Sequence, residues 1–499
     1  MKTMFRILLL TPFTFLASVA WPQAQPQPKY HQYTLYDLGT FGGPNSSTSY
    51  FARSLSFKGA IGGAQTPAHD PFDPNCLGNP YFPGCYVMHA FQWDGDTLTD
   101  LGSLPGNNGN NSSFATAINN RGLVAGYADN GTLDSTTAYP QTRAVVWKDG
   151  KIKDLGAFGG TQSAAMAVND HGQVVGGALN TVNDPFSAGF VLGFGALTPG
   201  TTQVRAFVWQ NGEKRDLGTL GGPDAFAYAI NRFGQIAGQS YTNSSPNPDT
   251  GIPTVDPFLW TNGKMIDLGT LGGTIGYTVW LNDWAQVVGI SNLAGDQTFH
   301  GFLWNHGMLT DLLPTSGGSD SLAVWINDLG DVIGASTLPG DQTNHASLWT
   351  FETSVDLGTV GQDPCSQAWS INNFRQIVGL SNSCASEQSG RAFLWQNGGP
   401  MVDLNALVEN SSNLYLYTAS YINDSGEIIA QGMLPNGDIH TVLLVPSGDC
   451  EQACEQRIVE YQNGPVAPAY PSSSIPALAR PVDRLLSPLR HRQATPGQR

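Results

Sequence analysis

The sequence predicts an all-β protein, an eight-bladed β-propeller of four-stranded antiparallel blades closed by an N-terminal strand. The main observation is a repeated segment, whose clearest copy extends from Ala225 to Gly273 and whose other copies fill most of residues 33–445. Each copy alternates short apolar runs with Asn-Gly or Asn-x-x-Gly turns and shows no helical periodicity. The 59 Gly and 32 Pro residues, with only 12% charged residues, also favour many short strands joined by turns.

Each repeat is predicted to contain four strands, which we name A to D in chain order. Strand A ends in an apolar residue, strand B follows a tight turn, strand C usually ends in Trp, and strand D ends in Asp-Leu, usually followed by Gly. The A–B hairpins are centred on Leu55, Ile118, Val168, Ile230, Leu281, Ile326, Ile371 and Ile422.

The register of these strands predicts that the array closes into a ring. The first Asp-Leu-Gly (37–39) precedes every A–B hairpin, whereas the last repeat ends at strand C without a strand D. Tyr33–Leu38 is therefore expected to pair with His440–Val445, which completes the eighth blade and leaves no open edge. A linear β-solenoid is the alternative, although its ends would need caps that the sequence does not show.

The N-terminus has the pattern of a secretory signal in residues 1–20. Lys2 and Arg6 precede an apolar segment, Ile7–Ala20, which ends in small residues suited to cleavage. A transmembrane anchor is the alternative, but this segment is too short to cross a bilayer and contains Pro12. We expect a Pro/Gln-rich linker over 21–32, the eight repeats over 33–449, and export to the periplasm or the extracellular space.

Six cysteines are consistent with an oxidising compartment. Their spacing predicts three local disulfides, with free buried thiols as the alternative, whereas zinc ligation is disfavoured because no histidine pair completes a site. The last pair begins the segment 450–499, a Cys-x3-Cys motif followed by a tail expected to be disordered. The predicted pairs are Cys76–Cys85, Cys365–Cys384 and Cys450–Cys454.

The charge excludes one class of partner. A formal net charge of −16 would repel phosphate backbones, so we expect no nucleic acid partner. No later segment has the length and apolar character of a transmembrane helix, and we expect a monomer.

Two columns of the repeat are predicted to pair within each blade. A His or Arg precedes strand C in seven repeats, and an Asp ends strand D in all eight. Hairpin geometry places these positions diagonally opposite, within reach of long side chains. The fourth blade is the exception, because Asp256 there lies near Asp267. Representative predicted pairs are Asp37 with His440, Asp100 with His89, and Asp311 with His300; the same rule pairs Arg391 with Asp403.

These columns carry a resemblance to a known family. His89-Ala90-Phe91, with Arg205-Ala206-Phe207 and Arg391-Ala392-Phe393, resembles the signature of the bacterial HAF extracellular repeat family. The Asp-Leu-Gly-Thr-Leu-Gly-Gly segments beginning at Asp216 and Asp267 are similar as well. The resemblance implies export and a repeat architecture, and it implies no activity and no catalytic residues.

Function is expected at the B–C loops of the first four repeats, which are much longer than those of the later repeats. Long loops on a rigid scaffold commonly form binding sites, while insertion without function is the alternative. Aromatic, Asp and Asn side chains suit a glycan or protein ligand, and Asp-rich loops also suit Ca²⁺, although no EF-hand spacing is present. The candidate binding residues are His69, Asp70, Asp73, Tyr81, Tyr86, Asp129, Asp134, Tyr241 and Asp249.

The sequence therefore favours an exported binding or adhesion module without a resident cofactor. A secreted propeller enzyme acting on glycans, as a hydrolase or lyase, is the second hypothesis, and a purely structural protein is the third. No G-x-S-x-G elbow or other catalytic motif is present, so no catalytic residue is assigned.

Overall fold

The computed structural model describes residues 30–49, 52–76, 84–106, 110–135, 138–187, 190, 202–248, 250–384, 390–410 and 412–463. The expected signal segment, nearly all of the expected linker, and the tail from residue 464 lie outside these residues. The regular secondary structure of the described residues is nearly all β-strand, as predicted.

The first four units follow one another along the chain, each as an antiparallel sheet. Their strands are, for unit one, β2 (Ser46–Ser47), β3 (Leu55–Ser56), β4 (Gly59–His69), β5 (Tyr86–Trp93) and β6 (Leu98–Gly102); for unit two, β7 (Ser113–Ile118), β8 (Val124–Leu133), β9 (Pro140–Lys148) and β10 (Lys151–Asp154); for unit three, β11 (Ser163–Val168), β12 (Val174–Asn183), β13 (Thr202–Gln210) and β14 (Glu213–Asp216); and for unit four, β15 (Ala225–Ile230), β16 (Ile236–Tyr241), β17 (Val255–Thr261) and β18 (Lys264–Asp267).

The remaining units repeat the same strand order, and units four and five are joined by one parallel pair, Val255 with Ile275. Their strands are, for unit five, β19 (Gly272–Leu281), β20 (Val287–Leu293), β21 (Phe299–Asn305) and β22 (Met308–Leu312); for unit six, β23 (Ser321–Ile326), β24 (Val332–Thr337), β25 (Asn344–Trp349) and β26 (Ser354–Asp356); for unit seven, β27 (Cys365–Ile371), β28 (Gln376–Asn382), β29 (Arg391–Gln396) and β30 (Val402–Asp403); and for unit eight, β31 (Tyr415–Ile422), β32 (Ile428–Met433), β33 (Ile439–Asp449) and β1 (His31–Asp37).

The ring is closed by the N-terminal strand, as predicted. β1 lies antiparallel to β33 at the edge of unit eight, with Leu35 opposite Leu444. Unit eight then contacts unit one, because the Thr441 N–H donates to Ser46 Oγ at 2.9 Å. The closing strand begins at His31, two residues before the expected Tyr33. The fold is thus an antiparallel β-propeller whose first strand belongs to its last unit.

The tight turns between strands A and B explain the repeated Asn. In unit five, Asn282 Oδ1 accepts the N–H groups of Trp284 and Gln286 at 3.0 Å each, which fixes the turn. Its Nδ2 donates to the carbonyl of Asn327 in unit six at 2.9 Å. The same contact between successive units is made by Asn119, Asn169, Asn231, Asn327 and Asn372. Each of these side chains therefore links neighbouring units as well as shaping its own turn.

The Asp-Leu-Gly motif is explained by hydrogen bonding and backbone conformation within the motif itself. In unit three, Asp216 Oδ1 accepts the N–H of Gly218 at 2.8 Å, and Gly218 has a left-handed backbone with φ of 89°. Only Gly adopts this conformation without strain, so the motif ends strand D and turns the chain toward the next unit.

All three predicted disulfides are present, Cys76–Cys85, Cys365–Cys384 and Cys450–Cys454. The last one begins a helix that the sequence did not predict, α1 (Gln452–Asn463). This helix lies against units seven and eight, where Arg457 Nε donates to the Ala406 carbonyl at 3.0 Å. No helix in the described part of the chain has the length and apolar character needed to span a bilayer.

Candidate functional site

The long B–C loops of units one to three are extensions of the ladder rather than irregular segments. In unit two, β8 and β9 remain paired from Val124–Trp147 out to Leu133–Pro140, with one irregularity after Asp129. In unit one, the pairing reaches His69 and Tyr86. These hairpins therefore rise from one face of the ring as stiff projections. We call this face, formed by the B–C loops of units one to four, the long-loop platform.

Hydrogen bonds tie the loops of the platform to one another or to the adjoining unit. Asn75 Nδ2 of loop one donates to the Ala138 carbonyl of loop two at 3.1 Å. Asp134 of loop two accepts from Thr161 Oγ1, at the start of unit three, at 2.9 Å. The Tyr241 hydroxyl of unit four donates to the Phe186 carbonyl of loop three at 3.2 Å. A ligand would therefore meet a surface that is already ordered.

The exposed part of the platform is partly aromatic. The rings of His69 and Tyr86 stack with centroids 4.7 Å apart, and His69 is exposed while Tyr86 is half-buried. Asp73 is exposed nearby, three residues before Cys76 of the Cys76–Cys85 disulfide. Further exposed apolar side chains at the hairpin ends are Leu133, Tyr139 and Val182.

Two of the predicted binding residues meet in the interior instead. Ser112 joins Asp70 and Asp129, because its hydroxyl donates to Asp70 Oδ2 at 2.8 Å and its N–H donates to Asp129 Oδ2 at 2.5 Å. Burial raises the pKa of Asp70 and raises the pKa of Asp129 to about 7. Both carboxyl groups are enclosed and serve the packing of loop one on unit two. Ser112 comes from the linker before strand A, and no feature of the sequence pointed to it.

The other predicted residues divide into buried and undescribed ones. Asp134 and Tyr241 are buried, since they make the contacts between loops described above. Tyr81 and Asp249 lie outside the described residues. Of the nine predicted side chains, His69, Asp73 and Tyr86 are thus the described ones with surface on the platform.

A second enclosed carboxyl pair lies between units three and four. Burial, followed by a side-chain hydrogen bond to Asp184, raises the pKa of Asp224 to about 9, so Asp224 is protonated at neutral pH. Asp224 Oδ1 also accepts the Val204 N–H at 2.7 Å. Both residues are buried, Asp184 Oδ1 accepts the Phe186 N–H at 3.2 Å, and the Asp224 carbonyl accepts the Tyr241 N–H at 3.0 Å. A protonated carboxyl next to a carboxylate resembles an acid–base pair, but it has no exposed surface for a substrate.

The His or Arg before strand C approaches the Asp of strand D in most units. The distances from Nδ1 to the nearer carboxylate oxygen are 2.8 Å for His89 and Asp100, 2.7 Å for His300 and Asp311, and 2.9 Å for His440 and Asp37. Arg143 with Asp154, Arg205 with Asp216, and His345 with Asp356 form equivalent pairs. Although partial burial raises it, hydrogen bonds from the histidines hold the pKa of Asp37 and of Asp100 below its usual value.

Unit seven departs from this pairing. Arg391 does not pair with Asp403; its Nε lies 3.3 Å from Asp363 Oδ2, and its Nη1 donates to the Tyr461 carbonyl of α1 at 2.8 Å. Asp403 instead accepts the Asn405 N–H at 2.9 Å and caps a short 3-10 turn. The chain after strand D continues differently here because Asn405 stands at the usual Gly position and residues 404–406 form the 3-10 turn.

In unit four, Asp256 stands where the other units have a cation. Burial and the nearby charge of Asp267 raise the pKa of Asp256 to about 7. Within the described residues, no group of three or more His, Cys, Asp or Glu side chains has an arrangement that could hold a metal ion.

Comparison with known proteins finds solved structures that are similar to this chain at low sequence identity. No protein-family model matches the chain, and no curated protein matches it. Among solved structures, Pyrococcus horikoshii acylaminoacyl peptidase is similar, with 11% identity, a TM-score of 0.38, and coverage of 66% of this chain and 51% of that one.

Two further solved structures are similar at the same level. The β-propeller domain of the trilobed protease from Pyrococcus furiosus has 9% identity, a TM-score of 0.39, and coverage of 75% and 96%. Porphyromonas gingivalis dipeptidyl peptidase 4 has 10% identity, a TM-score of 0.39, and coverage of 70% and 55%. This chain spans about half the length of the acylaminoacyl peptidase chains that it matches.

Proposed function

We propose that the protein is an exported binding module that holds an extracellular glycan on its long-loop platform. The observation that carries the proposal is the set of contacts that join loop one to loop two, loop two to the start of unit three, and loop three to the end of strand B in unit four. A preorganised surface binds with a smaller loss of conformational entropy than a set of mobile loops.

The exposed chemistry supports a glycan. The stacked pair of His69 and Tyr86 offers a flat ring surface, and Asp73 offers carboxylate acceptors in the same loop. Sugars present C–H faces and hydroxyl groups that match these two kinds of side chain. Three disulfides support the proposed export, because such bonds persist in oxidising compartments.

Enzymatic hydrolysis of glycans is less well supported. A glycosidase needs two carboxyl groups that reach a substrate from opposite sides. The carboxyl pairs described here, Asp70 with Asp129 and Asp184 with Asp224, are buried and hydrogen-bonded within the packing of the loops. The raised pKa values of Asp70, Asp129 and Asp224 follow mainly from burial and do not mark an open site.

The experiment is a binding screen of the exported chain against a panel of immobilised oligosaccharides of defined structure. We expect at least one oligosaccharide to bind, and His69→Ala with Tyr86→Ala to weaken that binding by about tenfold or more. The matched control is Phe351→Ala, which removes an exposed aromatic side chain in the C–D turn of unit six, away from the platform. Binding that survives the platform variant but is lost in the control would place the site on the other face, and binding to protein alone would exclude the glycan.

A further inference from the structure

Unit four carries a carboxyl group where the other units carry a cation. Asp256 occupies the position before strand C that holds a His or an Arg in the seven other units. The backbone there is unchanged, because Phe258 lies opposite Asp267 as Phe207 lies opposite Asp216 in unit three. The carboxyl groups of Asp256 and Asp267 therefore meet where an ion pair forms elsewhere, and they share a hydrogen bond.

The cation of the other units makes a second contact, with the next unit of the ring. In unit three, Arg205 Nε lies 2.9 Å from Asp216 Oδ2, and its Nη1 donates to the Pro223 carbonyl at 3.2 Å. The cations of units two and five make the same contact with the next unit, Arg143 with the Thr161 carbonyl and His300 with the Ser319 carbonyl. The position before strand C is thus built to hold a positive group between a carboxylate and a carbonyl oxygen.

Unit four keeps the carbonyl side of this arrangement. The residue of unit five that corresponds to Pro223 is Thr274, because each lies four residues before the column of small residues in strand A. The segment that contains Thr274 is held directly against strand C of unit four, since Val255 and Ile275 form a parallel bridge. Asp256 follows Val255, so it lies at this seam between the two units.

Asp256 lacks the partners that its burial calls for. It is only 9% exposed, and its Oδ1 accepts no hydrogen bond from the described residues. None of the ion pairs formed within the described residues includes Asp256 or Asp267. A buried carboxyl oxygen without a partner is costly, which favours a ligand at this position. Asp267 is exposed, so a solute reaches the pair from the surface.

We propose that Asp256 and Asp267 bind a calcium ion at the seam between units four and five, with the Thr274 carbonyl as a third ligand. The ion takes the place of the His or Arg side chain of the other units. The available ligands are all oxygen atoms, which Ca²⁺ prefers, whereas zinc sites are built largely from Cys and His. With three protein ligands, water completes the coordination, and such a site has the modest affinity typical of extracellular calcium modules.

The ion competes with a proton for the carboxyl pair. Burial, followed by the charge of Asp267, raises the pKa of Asp256 to about 7. Of the strands packed here, β16 and β19 carry no charged residue, and β18 adds Lys264 at its far end. Because the carboxylate form is the ligand, calcium affinity should fall as the pH is lowered from about 8 to about 6.

The test is isothermal titration calorimetry of the purified exported chain with calcium chloride at neutral pH. We expect one ion to bind per chain with a dissociation constant of about 0.1–1 mM. Asp256→Asn, which keeps the size of the side chain, should weaken binding by about tenfold or more. Asp256→Arg restores the type of pair found in units two and three, so it should fold and bind no calcium. The matched control, Asp184→Asn, alters a different carboxyl pair and should bind calcium like the wild type.

Urea unfolding gives a second readout that does not depend on the heat of binding. Calcium should raise the urea midpoint of the wild type and of Asp184→Asn, and leave that of Asp256→Arg unchanged. Sodium chloride at equal ionic strength should not reproduce the rise, and magnesium should bind more weakly because its smaller ion demands a stricter geometry.

Three outcomes would overturn the proposal. The first is the absence of both binding heat and stabilisation at calcium concentrations far above the expected dissociation constant, which would leave a shared proton as the sole occupant of the pair. The second is calcium binding that persists unchanged in both Asp256 variants, and the third is equal stabilisation by sodium. Oligosaccharide binding is assigned to His69 and Tyr86 of unit one, so Asp256→Arg should retain it, and the two proposals fail independently.

Discussion

Asp37 and His440 are 403 residues apart in the sequence, yet His440 Nδ1 lies 2.9 Å from Asp37 Oδ1. Asp37 also accepts the N–H of Gly39 at 2.8 Å, as the strand D Asp does in other units. The first strand of the chain thus takes the place and the side-chain contacts of the strand D that the eighth repeat lacks. This replacement closes the ring and defines its two faces.

Acid should weaken the fold through the carboxylates of these pairs. Although partial burial raises it, hydrogen bonds from His345, Ser316 and Gly358 hold the pKa of Asp356 at about 2. A folded pKa below the unfolded value gives stability that is present above the unfolded pKa and lost as the pH falls through the folded pKa. We expect the urea midpoint to fall between about pH 4 and pH 2, and Asp356→Asn to reduce that slope. An unchanged slope in the variant would contradict the assigned pairing.

Asp224 should have the opposite effect of Asp356 on how stability depends on pH. Its folded pKa of about 9 lies above the unfolded value, so the folded state keeps a proton that the unfolded state releases. The free energy of unfolding should therefore fall as the pH rises from about 4 to 9, by up to about 1.4 kcal/mol per pH unit. Asp224→Asn, which can still donate to Asp184, should flatten the dependence of the urea midpoint on pH and stabilise the chain at pH 8. A variant that loses more stability at pH 8 than at pH 5 would refute this.

The Asn contacts between units should contribute strongly to stability. Asn282→Ala removes two accepted hydrogen bonds within the turn and two donated ones, to Gln286 Oε1 and to the Asn327 carbonyl, all at a buried position. Each buried group left without a partner costs about 1–3 kcal/mol, so we expect a loss of about 3 kcal/mol or more in the free energy of unfolding. Asn436→Ala, in an exposed turn, is the matched control and should cost less than about 1 kcal/mol. Equal losses would show that the Asn side chain acts only within its own turn.

The Cys76–Cys85 disulfide should order loop one without controlling the ring. Cys76→Ser with Cys85→Ser should make limited proteolysis cut first between residues 66 and 88, while a folded fragment of the ring persists. The same variant should weaken oligosaccharide binding, because His69 and Asp73 lie in or beside this loop. Cys365→Ser with Cys384→Ser should leave loop one resistant to the protease. Early cleavage inside the strands of the ring in the first variant would contradict the account.

Much of the fold was predictable because the same pattern of strands and turns recurs in successive repeats. The offset of the first Asp-Leu-Gly predicted the pairing of β1 with β33, and the spacing of cysteines predicted all three disulfides. The unit-seven pairing was predicted wrongly, since Arg391 meets Asp363 and α1 rather than Asp403. That helix has few apolar residues, and its position depends on contacts that no local pattern encodes.

The candidate sites were less predictable, because they depend on contacts between units. Asp70 and Asp129 resemble exposed ligand residues in sequence, and only the approach of Ser112 from a third segment shows them to be enclosed. Asp256 did leave a signal, a carboxyl group in a column that carries His or Arg in the other seven repeats. The meaning of that signal required the burial of Asp256 and its contact with Asp267 in the folded ring.

Closure of the ring is the claim on which both faces depend, and a cysteine cross-link tests it most directly. Thr34 lies directly opposite Val445, so Thr34→Cys with Val445→Cys should form a disulfide within one chain under mild oxidation, detected as a linked peptide pair by mass spectrometry. Thr34→Cys with Thr310→Cys, which places the partner on strand D of unit five, should form none. A link in the first variant and none in the second is the predicted result. Linkage in the second variant, or its absence in the first, would show that β1 does not complete unit eight and that the array is open.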